Sequence, residues 1–176
     1  TLTQHGYWSL GGTAGVDSGL GDGLGGGVDA HVLRIVADRA LPIDEEVLPT
    51  GEVRAVAGTP LDFRAARRIG TQFVDNCFAL AEAPRPLAPA AQLEGPDGWT
   101  LDLATTAPGL QVFTGDGAAC PGCTTHHGTG YAPRAGLALE PQHWPDAPNH
   151  PRFPSIELRP GALWQSVTRI RFAAPA

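Results

Sequence analysis

Short segments of the chain alternate apolar and polar residues with a period of two, which is the pattern of half-buried β-strands. These segments are 1–10, 30–38, 52–57, 99–104, 110–114 and 164–172. Each has one apolar face, and we expect those faces to form the core of a two-layer, all-β antiparallel sandwich. The predicted core residues are Tyr7 or Trp8, Ile35, Val53, Phe78, Leu101, Leu103, Val112, Leu139, Ile170 and Phe172.

Glycine and proline dominate the connections between these segments. The 176 residues include 23 glycines and 17 prolines, which favours many short elements joined by turns. We predict a glycine-rich loop at 11–27, a surface connection at 84–96, and a turn at 48–51 that pairs segments 30–38 and 52–57. Residues 62–68 are the one short helix that the pattern indicates.

One segment combines a strand end with a run of prolines. Residues 137–155 have the sequence LALEPQHWPDAPNHPRFPS, in which five prolines follow Glu140 within fifteen residues. Each proline removes a backbone donor and fixes φ, so we expect a stiff, extended loop after a half-buried strand that contains Leu137 and Leu139. Glu140 then lies where the core gives way to a pocket mouth, which makes it a candidate general base.

Composition narrows the class of protein and of partner. The net charge is −6, and all twelve basic residues are arginines without a basic run, which argues against nucleic acid as a partner. No apolar run approaches the roughly 20 residues that span a bilayer, so no membrane association is expected. We predict a soluble, cytoplasmic protein with one domain and a real core.

Five ordered motifs resemble those of a known family. They are LTQHGYWSL around His5, ADRALPIDEEVLPTGEVRAVAGTPLDFR at 37–64, VDNCFAL around Asp75, TTAPGLQVFTG around Gln111, and EPQHWPDAPNHPRFPS at 140–155. Together they resemble the aldose 1-epimerase, or galactose mutarotase, family over nearly the whole chain. The resemblance implies a large, twisted antiparallel β-sandwich of the galactose mutarotase-like supersandwich type.

The resemblance also implies that residues 1–176 are the C-terminal portion of a single aldose 1-epimerase-like domain. The family has an N-terminal half that carries an Asn-Arg pair and a second active-site histidine, and neither is found in this sequence. A missing N-terminal half is therefore a candidate partner.

The activity implied by the resemblance is that of an isomerase, which interconverts the α and β anomers of a free aldose such as galactose or glucose. Its partner would be a small-molecule sugar, and no cofactor or metal is implied. By resemblance, Glu140 is the base at the C1 hydroxyl, His5 is the acid at the ring oxygen, and Asp75 and Gln111 bind sugar hydroxyls. Spacing alone favours a structural role for His5, whereas the motif match favours catalysis.

Two other functions stay open on the sequence. A carbohydrate-binding β-sandwich would keep the sugar contacts without catalysis, and a chain without the N-terminal half would fit it. A sugar-phosphate 1-epimerase would need Arg64, Arg67 or Arg68 at the pocket, although a solvated basic turn is the more ordinary role for these arginines.

Cysteine and histidine cluster in one segment. Cys120 and Cys123 form a C-x-x-C pair, and His126 and His127 follow within metal-ligand spacing. A second C-x-x-C pair is missing from the sequence, so inert loop cysteines or a local disulfide are favoured over a metal site.

Two further patterns lack the context that their chemistry needs. Gly21, Gly23 and Gly26 satisfy G-x-G-x-x-G, but no strand is predicted before them and no helix after them. A hydrolytic triad could also be drawn from the proline-rich segment, but no G-x-S-x-G elbow supports it. The members of that triad would be Asp146, His150 and Ser155.

Overall fold

The computed structural model describes residues 2–11, 27–123 and 130–175, and within them almost all regular structure is antiparallel β-sheet. The strands are β1 (Tyr7–Trp8), β2 (Val32–Ile35), β3 (Arg39–Ala40), β4 (Arg54–Ala55), β5 (Arg67–Arg68), β6 (Asp75–Ala79), β7 (Ala88–Glu94), β8 (Thr100–Thr105), β9 (Gly109–Phe113), β10 (Leu137–Gln142) and β11 (Thr168–Ala173). Two short 3₁₀ turns, Val28–Ala30 and Ala147–Asn149, accompany them. The all-β prediction is confirmed.

The strands form two sheets. The first has six strands in the order β1-β10-β9-β6-β3-β4, and the second has five in the order β11-β8-β7-β2-β5. One continuous cluster of buried apolar side chains contains members of both sheets, as expected for a sandwich. None of the helices in the described ranges is long and apolar enough to cross a bilayer.

The core agrees with most of the sequence prediction. Six predicted residues are buried: Ile35, Phe78, Leu101, Leu103, Val112 and Leu139. Trp8, Val53 and Ile170 are partly buried against core clusters. Of the alternatives Tyr7 and Trp8, it is Trp8 that packs against the core, and Tyr7 is 44% exposed. Phe172 is 52% exposed, so its assignment to the core is wrong. Phe172 lies on β11, which is an edge strand, and its ring packs on Trp8 with the centroids 5.6 Å apart.

The predicted helix at 62–68 is wrong, since Arg67 and Arg68 form β5 and pair with β2. The side chain of Arg67 contacts the turn that precedes β5. Nε of Arg67 donates to the carbonyl of Asp62 at 2.9 Å, and its guanidinium lies 3.9 Å from the ring centroid of Phe63. Such bonds to the main chain compete with helical hydrogen bonding in a segment too short to nucleate a helix.

The predicted surface connection at 84–96 is also wrong, because β7 lies in the middle of the second sheet between β8 and β2. Alanine and proline are depleted in strands, so strand propensity does not predict β7. Pro89 is tolerated because the register shifts between Pro89 and Ala91, and proline within sheets is found at such irregularities.

The hairpin-like pairing of 30–38 with 52–57 needs a correction as well. β2 pairs with β5 and β7 in the second sheet, whereas β4 pairs with β3 in the first. The chain therefore passes from one sheet to the other between Ile35 and Arg39, and only the residues after that crossing meet segment 52–57.

Strand β10 continues through Pro141 to Gln142, two residues beyond the predicted strand end at Glu140. The carbonyls of Leu139 and Pro141 accept hydrogen bonds from Gln4 Nε2 at 2.8 Å and Thr3 Oγ1 at 3.0 Å. In an antiparallel strand, the N–H and C=O of one residue point to the same edge, and alternate residues share that edge. The nitrogen of Pro141 therefore points toward the Thr3 and Gln4 side chains and away from β9. The missing N–H thus breaks no hydrogen bond between β10 and β9.

Candidate active site

The candidate site residues lie on the face of the first sheet that points away from the shared core. Register pairs Glu140 on β10 with Gln111 on β9, and Gln111 with Cys77 on β6. Because successive side chains alternate between faces, the apolar neighbours Leu139 and Val112 enter the core while these three point outward.

Glu140 and His5 are in contact. Nε2 of His5 lies 3.4 Å from Oε1 of Glu140; the histidine side chain is half exposed, and Glu140 as a residue is only 5% exposed. His5 is held there because the residues just before β1 are tied to β10 by the Thr3 and Gln4 side chains. A buried carboxylate therefore meets an imidazole that solvent or a ligand can reach.

Asp75 and Gln111 form the second polar pair. Nε2 of Gln111 donates a 2.6 Å hydrogen bond to Oδ1 of Asp75. Asp75 lies two residues before Cys77, the register partner of Gln111, and therefore on the same face of the sheet. With its amide nitrogen engaged, Gln111 presents its carbonyl oxygen as an acceptor, and Asp75 keeps a second carboxylate oxygen. Both groups suit the hydroxyls of a neutral ligand.

Burial governs the electrostatics of the two carboxylates. It raises the pKa of Glu140, while the neighbouring His5 acts to lower it and Asp75 raises it further. Burial likewise raises the pKa of Asp75, against the opposing effects of the Gln111 hydrogen bond and His5. Glu140 is thus a stronger base, once ionised, than an exposed glutamate, which suits a group that accepts a proton and returns it.

A small pocket of about 120 Å³ lies beside Asp75 and Gln111, and Glu140, which was predicted at a pocket mouth, is not among its lining residues. Its polar lining comes from Asp75, Gln111 and Gln142, and Cys77 also lines it. Burial raises the pKa of the Cys77 thiol to about 12, so this sulfur is a neutral, weakly polar wall and not a nucleophile. The remaining wall is formed by Leu41, Ile43, Val47, Pro49 and Pro145.

Three residues near the site were not predicted as part of it. Cys77 and Gln142 each lie two positions after a predicted residue on the same strand, so the period of two could have found them. Tyr7, which was predicted for the core only as an alternative to Trp8, packs beside His5, with ring centroids 5.2 Å apart. Its phenol pKa is raised by burial and by the nearby carboxylates of Glu140 and Asp75.

The arginines that a sugar-phosphate site would need lie elsewhere. Arg67 and Arg68 belong to β5 of the second sheet. Arg64 makes a two-pronged ion pair with Asp62, with both contacts at 2.8 Å. None of the three lines the pocket beside Asp75 and Gln111.

The other sequence motifs do not join this site. Cys120 and Cys123 form a disulfide, as one of the expected alternatives had it, and so have no thiolates to offer a metal. His126, His127 and the glycines 21, 23 and 26 lie outside the described residues. In the proline-rich segment, His150 lies 3.0 Å from Asp146, whereas Ser155 Oγ accepts a hydrogen bond from the Glu157 N–H.

Comparison with known proteins identifies the family. The family model described as Aldose 1-epimerase matches residues 1–171. The human protein named galactose mutarotase is 34% identical over 98% of this chain, and the Escherichia coli K12 protein named aldose 1-epimerase is 36% identical over 98%. The chain spans about half the length of these relatives, 49% and 50%.

Solved structures show the same fold. A GalM/aldose epimerase homologue from C. elegans superposes with a TM-score of 0.81 at 24% identity, covering 99% of this chain and 51% of that one. Galactose 1-epimerase from Lactobacillus acidophilus superposes with a TM-score of 0.60 at 26% identity, covering 87% of this chain and 46% of its own. The motifs, the sandwich and the family match together establish that this chain belongs to the aldose 1-epimerase family.

Proposed function

We propose that the protein to which this chain belongs is an aldose 1-epimerase, which interconverts the α and β anomers of a free aldose such as galactose or glucose. The observation that carries the proposal is the 3.4 Å contact between the buried carboxylate of Glu140 and the accessible imidazole of His5. Ring opening needs a base and an acid on one small ligand, and this pair supplies both.

In the proposed reaction, Glu140 takes the proton from the C1 hydroxyl while His5 gives a proton to the ring oxygen. The bond between C1 and the ring oxygen breaks, and its electron pair stays on that oxygen, while the C1–O bond becomes a carbonyl. Rotation about C1–C2 presents the other carbonyl face. Reclosure returns one proton to His5 and one to the new C1 hydroxyl, so both residues regain their starting states.

The two groups begin this cycle in opposite protonation states, and the geometry favours that arrangement. An ionised Glu140 and a protonated His5 attract each other, and this attraction offsets part of the cost of burying the carboxylate. The net proton change of the reaction is zero, as isomerisation requires.

The ligand that we propose is a neutral sugar. Asp75 and Gln111 offer acceptors for hydroxyl groups, and the cationic Arg64, Arg67 and Arg68 lie away from the pocket. The human relative carries the name galactose mutarotase, which supports galactose as a substrate. We further propose that an N-terminal half completes the site, since this chain spans about half the length of its relatives.

A cytoplasmic location is also part of this proposal. It rests on the carbohydrate chemistry of the site. Fractionation of the source cells, followed by immunodetection, would test it. Recovery of the protein from an extracytoplasmic fraction would overturn it.

Polarimetry tests the activity. Freshly dissolved α-galactose should reach its anomeric equilibrium faster with the protein than without it, and Glu140→Gln should lower kcat by about 10²–10⁴-fold. Glu157→Gln is the matched control, because Glu157 is an exposed carboxylate that pairs with Arg159 outside the site. The measurement should use both this chain and a version extended upstream.

Two results would sink the proposal. Near-parental turnover of Glu140→Gln at saturating sugar would remove Glu140 as the base. No acceleration by the extended protein, together with clear sugar binding, would indicate a carbohydrate-binding sandwich instead.

A further inference from the structure

A second polar surface lies on the outer face of the five-stranded sheet, on the opposite side of the sandwich from Glu140. Strand register brings four side chains into one row across this face, in the order Arg171, Asp102, Gln92 and Arg34. Alternation places all four outward, because their strand neighbours Ile35, Leu93, Leu103 and Ile170 belong to the core.

The neighbouring row explains why the face is concave. Arg169 pairs with Ala104, and Ala104 pairs with Pro89, so two small residues lie beside the row of long side chains. The irregularity between Pro89 and Ala91 is what allows Pro89 to share a face with Gln92. The result is a depression of about 310 Å³, which is close to the lower size limit of small-molecule sites. We call this depression the arginine groove; its rim carries Arg34, Arg169 and Arg171.

Charge in the arginine groove is unbalanced. Asp102 accepts a 2.8 Å hydrogen bond from Gln92 Nε2, which engages the one carboxylate in the groove. In the part of the chain that the structure describes, neither Arg169 nor Arg171 has a side-chain hydrogen bond or an ion pair, and Arg34 has only a 3.4 Å contact with the Arg64 carbonyl. Three guanidinium groups therefore face one carboxylate in a protein of net charge −6.

The spacing of the arginines fits one anion. Arg169 and Arg171 lie on the same face of β11, about 7 Å apart along the strand, and Arg34 is three strand spacings away, roughly 14 Å. Arginine side chains are long enough to converge over such a gap, and their planar forks match the oxygens of phosphate. Glu94 lies two residues from Gln92 on the same face but does not line the groove, and more distant acidic groups are screened beyond roughly 8 Å at physiological ionic strength.

We propose that the arginine groove binds a small molecule that carries a phosphate group. Arg169 and Arg171 hold the phosphate oxygens, Arg34 closes the groove from β2, and the neutral remainder of the ligand lies on Pro89, Ala104 and Val36. Unliganded, the two cations on β11 repel each other, and a bound dianion removes that repulsion. This site is distinct from the proposed epimerase site, and each can be tested without the other.

Two-dimensional amide NMR with inorganic phosphate as the probe tests this assignment. Phosphate should shift the amide signals of residues 102–104 and 169–171 with saturable, millimolar affinity, while sodium chloride at matched ionic strength should not. Arg169→Gln combined with Arg171→Gln should weaken binding by about tenfold or more, because each lost contact is a charge-assisted hydrogen bond. Arg159→Gln, an exposed arginine paired with Glu157, is the matched control and should leave the affinity unchanged.

A second variant covers the case in which the double variant folds poorly. Gln92→Glu adds a negative charge between Arg34 and Arg171 without removing any arginine, and it should also weaken phosphate binding. The proposal is overturned if Arg159→Gln weakens binding as much as the double variant, or if sodium chloride reproduces the shifts. It is also overturned if succinate, a carboxylate dianion, binds as tightly as phosphate.

Discussion

Gln111 on β9 and Asp75 on β6 are joined by a 2.6 Å hydrogen bond that crosses the first sheet diagonally. The bond does two things at once. It opposes the effect of burial on the Asp75 pKa, and it leaves the Gln111 carbonyl oxygen as the acceptor that a ligand meets. Neither residue holds a reacting proton in the proposed mechanism, so the pair should act on sugar binding.

Gln111→Leu tests that role. The change keeps the side-chain size but removes both the donor to Asp75 and the acceptor for a hydroxyl. We expect KM to rise by about 10–100-fold, since hydrogen bonds to charged groups contribute roughly 1.5–3 kcal/mol, while kcat should change much less. Initial rates of anomer interconversion over a range of sugar concentrations would give both constants.

Gln92→Leu is the control for this variant. Gln92 also donates to an aspartate, Asp102, at 2.8 Å, but on the outer face of the other sheet. It should leave KM and kcat at parental values. A lower kcat with unchanged KM for Gln111→Leu would instead place Gln111 in the chemical step.

The pH dependence of stability gives a test that needs no substrate. Burial raises the Glu140 pKa above its ordinary value of 4.5, and His5 opposes this only in part. As the pH rises, the unfolded chain therefore loses the Glu140 proton before the folded state does. The contribution of this group to stability is full below pH 4.5, and it is lost as the pH rises through the pKa of Glu140 in the folded state. Glu140→Gln removes that loss.

We therefore expect the unfolding free energy of Glu140→Gln, relative to that of the parent, to increase as the pH rises above 4.5. Urea unfolding at a series of pH values would measure the difference, with Glu157→Gln, an exposed carboxylate, as the control. A constant difference across the series, or one that decreases with pH, would show that burial does not set the Glu140 pKa.

How much of this site could be predicted from the sequence depends on what kind of signal each residue carries. Glu140, His5, Asp75 and Gln111 were found through ordered motifs, and the structure brings them together on one sheet face. Cys77 and Gln142 required only the period of two along strands already predicted. The contact of His5 with Glu140 was not predictable from spacing, since the two residues are 135 positions apart in the sequence.

The errors in the fold have a common physical origin. Four of the seven residues of β7 are alanine or proline, which have low strand propensity, yet β7 pairs on both sides and lies between β8 and β2. β5 is two arginines long and is a strand only because β2 lies beside it. Phe172 looks like core in an alternating strand but lies on an edge. For β7 and β5, long-range pairing outweighs local preference, whereas Phe172 is exposed because its strand has a neighbour on one side only.

Cys77, which lines the pocket beside Gln111, provides a chemical test of how closed that pocket is. Two of the three cysteines of the chain form the Cys120–Cys123 disulfide, so Cys77 is the single free thiol. Burial raises its pKa to about 12, and alkylation needs the thiolate. We expect no modification by iodoacetamide in the native protein at pH 8, and one added group per chain after denaturation without reductant.

Intact-mass spectrometry would follow this reaction. Denaturation with reductant should raise the count to three groups, which serves as the internal control for the disulfide. Rapid labelling of the native protein would mean that the pocket opens to solvent at Cys77. The description of this thiol as a neutral part of the pocket wall would then be wrong.

Gly109 on β9 is closely packed by Cys77, Trp144 and the backbone of Gln142, and two of these residues, Cys77 and Gln142, line the pocket. A Cβ atom at this position would lie 2.9 Å from Cys77 Sγ, 3.0 Å from Trp144 Cδ1 and 3.1 Å from the Gln142 carbonyl oxygen. Trp144 cannot easily yield, because its Nε1 donates a 3.0 Å hydrogen bond to the Pro108 carbonyl and its ring packs on Phe153. Gly109→Ala should therefore overpack the wall of the pocket.

We expect Gly109→Ala to lower the unfolding free energy by about 1–3 kcal/mol, the usual cost of overpacking a filled interior. Gly117→Ala is the matched control, because a Cβ there meets nothing within 4 Å, and its stability should change by only a few tenths of a kcal/mol. Urea unfolding of both variants measures the difference. Because the displaced groups adjoin Gln111, Gly109→Ala should also raise KM for the sugar. Equal stability of the two alanine variants would mean that Trp144 and the backbone at Gln142 shift freely, and the pocket beside Asp75 would then not be the rigid surface on which the proposed sugar contacts depend.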